Sequence, residues 1–309
     1  MEFIHKSVML KECVEGLSIK SNGIYVDGTM GGAGHSKEIA KRISEKGLLI
    51  GIDRDEEAIC VAKKRLEEFN NVKFVHDNHD KIKSILENLQ ILKVDGILLD
   101  LGVSSYQLDE KNRGFSYLGN NELDMRMDRT QGLTAKDVIN TYKEEELANI
   151  IYEYGEERFS RSIARKIVEK RKISPIETTE ELVKIIESVV PHKKGEGHPA
   201  KRTFQAIRIE VNNEIKPLYD TIIDSIDALN DGGRLCVLTF HSLEDRAVKN
   251  AFNDAAGKCV CPPGLPYCVC GSVSKGKIIT KKPILPSNEE MEENSRSKSA
   301  KLRIFEKKI

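Results

Sequence analysis

Three aspartates, Asp27, Asp53 and Asp100, each end a short apolar run: Ile24-Tyr25-Val26, Leu48-Leu49-Ile50-Gly51-Ile52 and Gly96-Ile97-Leu98-Leu99. After the first comes Asp27-Gly28-Thr29-Met30-Gly31-Gly32-Ala33-Gly34-His35, a glycine-rich stretch at the junction of a strand and a helix. Glycine permits a tight turn there and lets backbone approach a ligand without a Cβ in the way. The dinucleotide fingerprint G-x-G-x-x-G is not met, because Lys37 stands where the third glycine belongs. A carboxylate at Asp27 also disfavours a pyrophosphate. It suits a cofactor with a cationic amino-acid tail, and a carboxylate at Asp53 can accept hydrogen bonds from two ribose hydroxyls. Two simpler readings stand beside these: a turn with no ligand, and Asp53 as an N-cap for the helix that starts near Asp55.

Further groups fall at the same ends of predicted strands. Val72-Lys73-Phe74-Val75 is followed by His76-Asp77-Asn78-His79. Asp77 or Asn78 could bond an adenine amino group there and His79 could stack on the ring, or His79 could simply be solvated. Asp100 begins Asp100-Leu101-Gly102-Val103-Ser104-Ser105, and His241-Ser242 follow Arg234–Phe240. His241 would border the same cleft; Glu244, Asp245 and Arg246 could equally form an internal salt-bridge network.

The elements that must position these residues alternate. Strands at 24–26, 48–52, 72–75 and 96–99 are separated by amphipathic helices, one carrying Ile59, Ala62, Leu66 and Phe69 on one side. Apolar strands joined by helices imply a parallel sheet covered on both faces, with ligands at its carboxyl edge. After Gly102 the rhythm stops, and 109–201 reads as helices and charged connectors. Thr178 with Glu181 looks like a capping box for a helix burying Leu182, Ile185, Ile186 and Val189. A helix over Thr203–Leu229, a turn at Asp231-Gly232-Gly233 and a strand at Arg234–Phe240 restore the alternation. Thr280–Pro286 and Lys301–Glu306 could supply two last strands. The expected fold is α/β, with a first part at 1–108, an inserted all-helical domain at 109–201 and a second part at 202–309.

Longer motifs carry a family resemblance. Asp100-Leu101-Gly102-Val103-Ser104-Ser105 with Gln107-Leu108-Asp109, Arg113-Gly114-Phe115-Ser116, and Leu123-Asp124-Met125-Arg126-Met127-Asp128 are the first set. Tyr154-Gly155-Glu156-Glu157-Arg158-Phe159, His198–Ala206 and Phe240–Arg246 are the second. The chain resembles, over nearly its whole length, the MraW/RsmH family of bacterial 16S ribosomal RNA cytosine-N4 methyltransferases. The resemblance implies a doubly wound class I (Rossmann-like) sheet with a helical substrate-recognition insert. It implies S-adenosylmethionine as donor and a decoding-centre cytosine of the small ribosomal subunit as acceptor. Carried over, the cofactor residues are Ala33, Gly34, His35, Asp53, His79, Asp100 and Gln107, beside Asp27 and Gly31 from the loop itself. Cytosine N4 is a poor nucleophile, so an acceptor for its hydrogens is needed while the methyl group passes in line. Asp100 is the first candidate, with Asp109 or His241 in its place if Asp100 mainly orients the cofactor. The two prolines that follow the acid in many amino methyltransferases are absent, although Tyr106 is near.

Contacts to RNA must come from local charge, because 49 basic and 49 acidic residues leave a formal net charge of zero. Arg158, Arg161, Arg165 and Lys172 fall on one side by helical spacing, opposite Ile163 and Ile167, as a phosphate-contacting or merely solvated face. Lys193, Lys194, Lys201 and Arg202 are better phosphate candidates. Cys259, Cys261, Cys268 and Cys270 form C-x-C…C-x-C, either a zinc site with unusual spacing or free thiols; no metal is expected to take part in the reaction. No apolar run spans a bilayer and no secretory pattern opens the chain, so a cytoplasmic protein without membrane contact, monomer or homodimer, is expected. Rival functions are a methyltransferase for DNA or a small molecule, a nicotinamide enzyme, and a non-catalytic cofactor-binding ribosome assembly factor.

Overall fold

The structure is a computed structural model that describes residues 7–192, 195, 197–258, 261, 267 and 271–308. In chain order it runs α1 (Leu10–Gly16), β1 (Ile24–Asp27), α2 (Gly34–Ala40), β2 (Leu48–Asp53), α3 (Glu56–Arg65), β3 (Val72–His76), α4 (Ile82–Asn88) and β4 (Val94–Asp100). Six helices follow: α5 (Ser105–Asp109), α6 (Ala135–Thr141), α7 (Glu144–Gly155), α8 (Ser160–Arg171), α9 (Thr179–Glu187) and α10 (Lys201–Asn212). The chain closes with α11 (Leu218–Ala228), β5 (Leu229–Thr239), α12 (Ser242–Ala255), β6 (Gly276–Ile278), α13 (Asn288–Glu293) and β7 (Lys301–Lys307). Two compact units result, one of residues 1–102 with 215–309 and one of residues 103–214. The second is wider at both ends than the 109–201 segment expected from the sequence, because α5 and α10 belong to it.

The first unit is a mixed α/β layer structure. Its seven strands lie in the order β3-β2-β1-β4-β5-β7-β6. The first five are parallel, with Val26 beside Ile50 and Ile97, and Ile97 beside Leu235. Both faces are covered: Ile82, Ile85, Ile222, Val248 and Phe252 pack with Val26, Ile97 and Val237 in one cluster, and Val14, Leu17, Ile39 and Ile43 pack with Leu49, Leu98 and Leu238 in another. Continuous apolar strands are what burial on two faces demands. The last two strands run antiparallel, Leu238 opposite Leu302 and Ile278 opposite Phe305. The expected strand at Thr280–Pro286 is not one: the strand lies earlier, at Gly276–Ile278, and only Ile284 bridges to Leu302. The expected turn at Asp231–Gly233 lies within β5, where the pairing with β4 shifts register between Val94 and Gly96.

The second unit is helical, its described residues contributing only the isolated bridge Glu122–Thr178. The capping box that opens α9 is present, with Thr178 accepting from the Glu181 N–H and Glu181 from the Thr178 N–H. One core gathers Leu147 and Ile151 of α7, Ile163 and Ile167 of α8, Leu182 and Ile186 of α9, and Phe204 and Ile207 of α10. The 113–128 segment is held to it by buried polar clamps. Arg113, 1% exposed, donates to the carbonyls of Arg126 and Met127 at 3.0 Å each, and Asn212 bonds the Met125 carbonyl and the Met127 N–H at 2.7 Å each. The helix expected over 203–229 is two: Asn213 takes a left-handed conformation (φ 48°) at the end of α10, and α11 begins after Pro217. Proline cannot continue an i→i−4 ladder, and Asn is among the few residues that tolerate φ > 0.

At Gly155 a Cβ would stand 2.6 Å from the Arg202 carbonyl oxygen, so α7 and α10 touch through backbone. Gly155→Ala is expected to destabilise the second unit by about 1–3 kcal/mol, read as a lower urea midpoint for helix loss. An unchanged midpoint would show that this contact relaxes freely.

Candidate functional site

The site in the first unit is built on the loop between β1 and α2. Gly28 leaves β1 so close to its neighbours that a Cβ would lie 2.5 Å from Leu99 and 3.3 Å from His79. The chain then reverses through Gly31 (φ 48°) and Ala33 (φ 59°), the latter a left-handed residue at the N-cap of α2. Met30 donates its N–H to the Ile52 carbonyl, and its side chain lies where a Cβ on Gly51 would be. Close approach, rather than flexibility, is what these glycines supply.

Asp53 holds the loop. Its Oδ2 accepts from the Gly31 N–H at 2.7 Å and its Oδ1 from the Asp55 N–H at 2.9 Å. A carboxylate has about four acceptor sites, so both oxygens keep capacity for two hydroxyls. Its partial exposure leaves them reachable. The N-cap of α3 is Asp55, which accepts from the Glu57 N–H at 3.1 Å. Burial pushes Asp53 up to about 6 despite those two bonds, which pull it down.

Asp27 differs from expectation. It is 1% exposed and bonded from inside: Ser36 Oγ donates to Oδ2 at 2.5 Å and the Thr29 N–H to Oδ1 at 3.3 Å. It braces the loop to the first turn of α2 and would act on a ligand through its field, not by contact. Burial pushes it up to about 6, with the Ser36 hydroxyl the largest opposing influence.

Asp100 ends β4 with its N–H donated to Thr29 Oγ1 at 2.6 Å and its carboxylate side chain 24% exposed. His35, buried, lies with Nδ1 3.6 Å from Asp100 Oδ2 and Nε2 3.1 Å from the Val8 carbonyl. Burial, then the charges of Asp27 and Glu244, push Asp100 well above the carboxylate range. Because the His35 ring is occupied inside the protein, His35 and Gly34 can offer a cofactor backbone rather than imidazole.

His79 lies in a short turn of helix after β3, partly exposed, and burial followed by Arg54 lowers it to about 3. A neutral ring there suits stacking. Asn78 donates to Asp80 Oδ2 at 2.8 Å, while Asn78 Oδ1 and Asp80 Oδ1 are buried acceptors with no hydrogen-bond partner. Asp77 instead accepts from Lys81 and the Asn78 N–H.

The other expected residues are placed as follows. His241 is the N-cap of α12, its Nδ1 accepting from the Glu244 N–H at 3.5 Å. Its Nε2 is 3.0 Å from Glu244 Oε1, though not aligned as a hydrogen bond. The side chain is 9% exposed. Gln107 and Asp109 belong to the second unit. Gln107 is buried and closes a capping box with Ser104, its Oε1 accepting from the Ser104 N–H at 3.1 Å; Asp109 is exposed at the end of α5. Arg158 is exposed but precedes α8, so it does not share a helix face with Arg161 and Arg165. Arg165 is exposed, 3.7 Å from Glu144, and Lys201 and Arg202 are exposed at the start of α10, with Arg202 donating to the Glu156 carbonyl at 3.2 Å. Lys193, Lys194, Cys259, Cys268 and Cys270 lie outside the described residues; Cys261 is partly exposed. Among the described residues no helix is long and apolar enough to cross a membrane.

Sequence reasoning missed Thr29, Ser36 and Asp80, while Glu244, expected in an internal ion-pair network, lies beside His241 in the first turn of α12. Thr29 and Ser36 could have been suspected as hydroxyls inside and just after the loop, but their targets are set by strand order.

The MraW methylase family matches this chain over residues 2–308. The chain belongs to that family. A family member named ribosomal RNA small subunit methyltransferase H, from Clostridium botulinum, is 61% identical over 308 residues, covering 99% of this chain and all of that one. Its namesake from Clostridioides difficile is 58% identical over 310 residues with the same coverage. A solved rRNA methylase from Streptococcus thermophilus aligns over 97% of this chain and 94% of its own, at 12% identity and a TM-score of 0.40, too distant to bear on function. As a family member the chain is a methyltransferase.

The raised Asp27 and Asp53 carboxyls fix a sign. In the folded chain both hold protons up to about 6, whereas the unfolded groups release them near 3.8. The stability this gives is full below the unfolded value and is lost as pH rises through about 6. Asp27→Asn removes the ionisation, so its unfolding free energy relative to the parent should rise between pH 4 and 7, by up to about 3 kcal/mol. A pH-independent difference in urea midpoints would contradict burial as the cause.

Proposed function

We propose that this chain methylates the N4 amine of a decoding-centre cytosine in 16S ribosomal RNA, within the small ribosomal subunit and in the cytoplasm. The observation that carries the substrate is the similarity, end to end, to relatives named for ribosomal RNA small subunit methylation. The donor is S-adenosylmethionine, which supplies a methyl group on a positively charged sulfur. The residues present fit it. Asp53 keeps acceptor capacity for two hydroxyls, a neutral His79 suits a purine face, and Asp27 and Asp53 give the loop negative charge above about pH 6.

Each group then has a task. Asp53 binds the ribose edge while pinning Gly31, so loop shape and cofactor position are set by one carboxylate. Ala33 and Gly34 bring backbone close to the donor. Asp100 accepts hydrogen from the cytosine amine, which keeps electron density on N4 while the new bond forms; orientation and electrostatics carry most of the acceleration. A cytosine in folded RNA must be splayed from its stack to reach any such site. The second unit serves as the substrate-recognition domain, with Arg158, Arg165, Lys193, Lys194, Lys201 and Arg202 contacting phosphates, and Gln107 adding a cofactor contact.

Mapping methylated cytosines in small-subunit RNA from cells with and without the chain tests the whole reading; loss of one N4-methyl mark is expected, and no change overturns it. Asp53→Ala should weaken donor binding about 10- to 100-fold by calorimetry, from loss of charge-assisted bonds. Lys201→Ala with Arg202→Ala should lower RNA affinity and flatten its dependence on log salt by about one to two units in all. An unaltered salt slope would remove both from the interface.

A further inference from the structure

The His35 ring carries its hydrogen on a known side. Nε2 lies 3.1 Å from the Val8 carbonyl oxygen, which can only accept, so Nε2 bears the hydrogen and Nδ1 the lone pair. That Nδ1 is 3.6 Å from Asp100 Oδ2, and the ring is only 6% exposed while the carboxylate is 24% exposed. The exposed member of the pair can therefore meet a substrate and the buried one cannot. A lone pair and a carboxylate held this close repel each other, and taking up one proton between them relieves that repulsion.

Resting on the reading of Asp100 as hydrogen acceptor, we propose that Asp100 and His35 form a couple that takes up a single proton during the transfer: Asp100 receives it from cytosine N4, and His35 is the positioning residue that accepts the resulting hydrogen bond. In the transfer, N4 forms a bond to the methyl carbon, the carbon–sulfur bond breaks with its electron pair going to sulfur, and N4 is left with one proton too many. That proton passes to the Asp100 carboxylate, whose new O–H turns to His35 Nδ1. The couple goes from a charge of −1 to zero, and the Val8 carbonyl keeps the ring from rotating. The 3.6 Å separation is longer than a hydrogen bond and closes by a few tenths of an ångström once the proton is shared, as catalytic bonds commonly tighten only in the loaded site.

The charged and titratable neighbours all act in one direction. Asp27 at the end of β1 and Glu244 of α12, itself beside His241, raise Asp100; Cys13 of α1 is a buried thiol that Asp100 in turn helps to push up. Burial lowers His35 to about 4, so the ring is neutral and its lone pair is available near neutral pH. The proton belongs to the couple, and the pH at which it is taken up is a property of both residues. Methylation needs the unprotonated couple and should fall away on the acid side.

Two measurements on the full-length chain decide this. Nitrogen NMR of the wild-type chain should show His35 protonated at Nε2 and bare at Nδ1 near neutral pH; a ring protonated at Nδ1 overturns the proposal and needs no variant. With saturating donor and small subunits, the acid limb of kcat should move to lower pH by about one unit or more in His35→Gln. That change replaces the basic imidazole lone pair with a far less basic amide oxygen, which favours protonated Asp100 less, while keeping an amide donor for Val8. The plateau should fall about tenfold, with donor Kd within about threefold of the parent. A limb that stays in place, or an effect confined to donor Kd, overturns the couple and leaves His35 a wall of the loop. Asp100→Asn separates the two readings: full methylation by that variant sinks the role of Asp100 itself, whereas an inactive Asp100→Asn beside an unmoved His35→Gln limb sinks only the couple.

Discussion

Carboxylates taken out of water at the carboxyl ends of adjacent parallel strands are the constraint on which the first unit depends. Asp53 ends β2, Asp27 ends β1 and Asp100 ends β4, and parallel register brings β1 between the other two. Ionised carboxylates at such short range are costly in a low-dielectric setting unless their lone pairs are used. The loop after β1 supplies much of what they need. Gly31 serves Asp53, Thr29 and Ser36 serve Asp27, and Thr29 also receives the N–H of Asp100. The loop is shaped by the acids and the acids are made tolerable by the loop.

That mutual dependence explains the glycine pattern better than a need for flexibility. Gly28 is excluded from carrying a side chain by Leu99 and His79, and Gly34 by Ser7, whose Oγ would lie 1.9 Å from a Cβ there. Each close approach removes a side chain from the strand edge and leaves backbone in its place. A donor with a ribose, a purine and a charged tail can then be met by carboxylate, imidazole and peptide in turn. Negative charge remains at the edge because it is only partly compensated, which favours a cationic donor before any catalytic group is considered.

The second unit follows a different logic. Its non-helical 113–128 segment is tied to the helices around it by buried polar clamps, Arg113 to two carbonyls and Asn212 to Met125 and Met127. The stacked pair of Tyr117 and His198, 4.6 Å between centroids, extends the same core toward the start of α10. Lys201 follows closely, exposed at the first position of α10.

Much was determined by the sequence alone. Apolar runs of strand length separated by amphipathic helices specify a two-faced parallel sheet, because buried strands cannot carry polar residues on either face. The glycine turn, Asp53 at the end of its strand, and the Thr178–Glu181 box are local patterns with local causes. Tertiary structure alone decided the rest. Whether Asp27 faces a ligand or the interior depends on Ser36 lying across from it, and the pairing of His35 with Asp100 joins residues of α2 and β4 that no spacing relates. His241 became a cap because Glu244 one helical turn on could reach it, a choice that sequence leaves open. The antiparallel return of β7 and the break between α10 and α11 are set by which edge and which core remain to be covered, a property of the assembled layers.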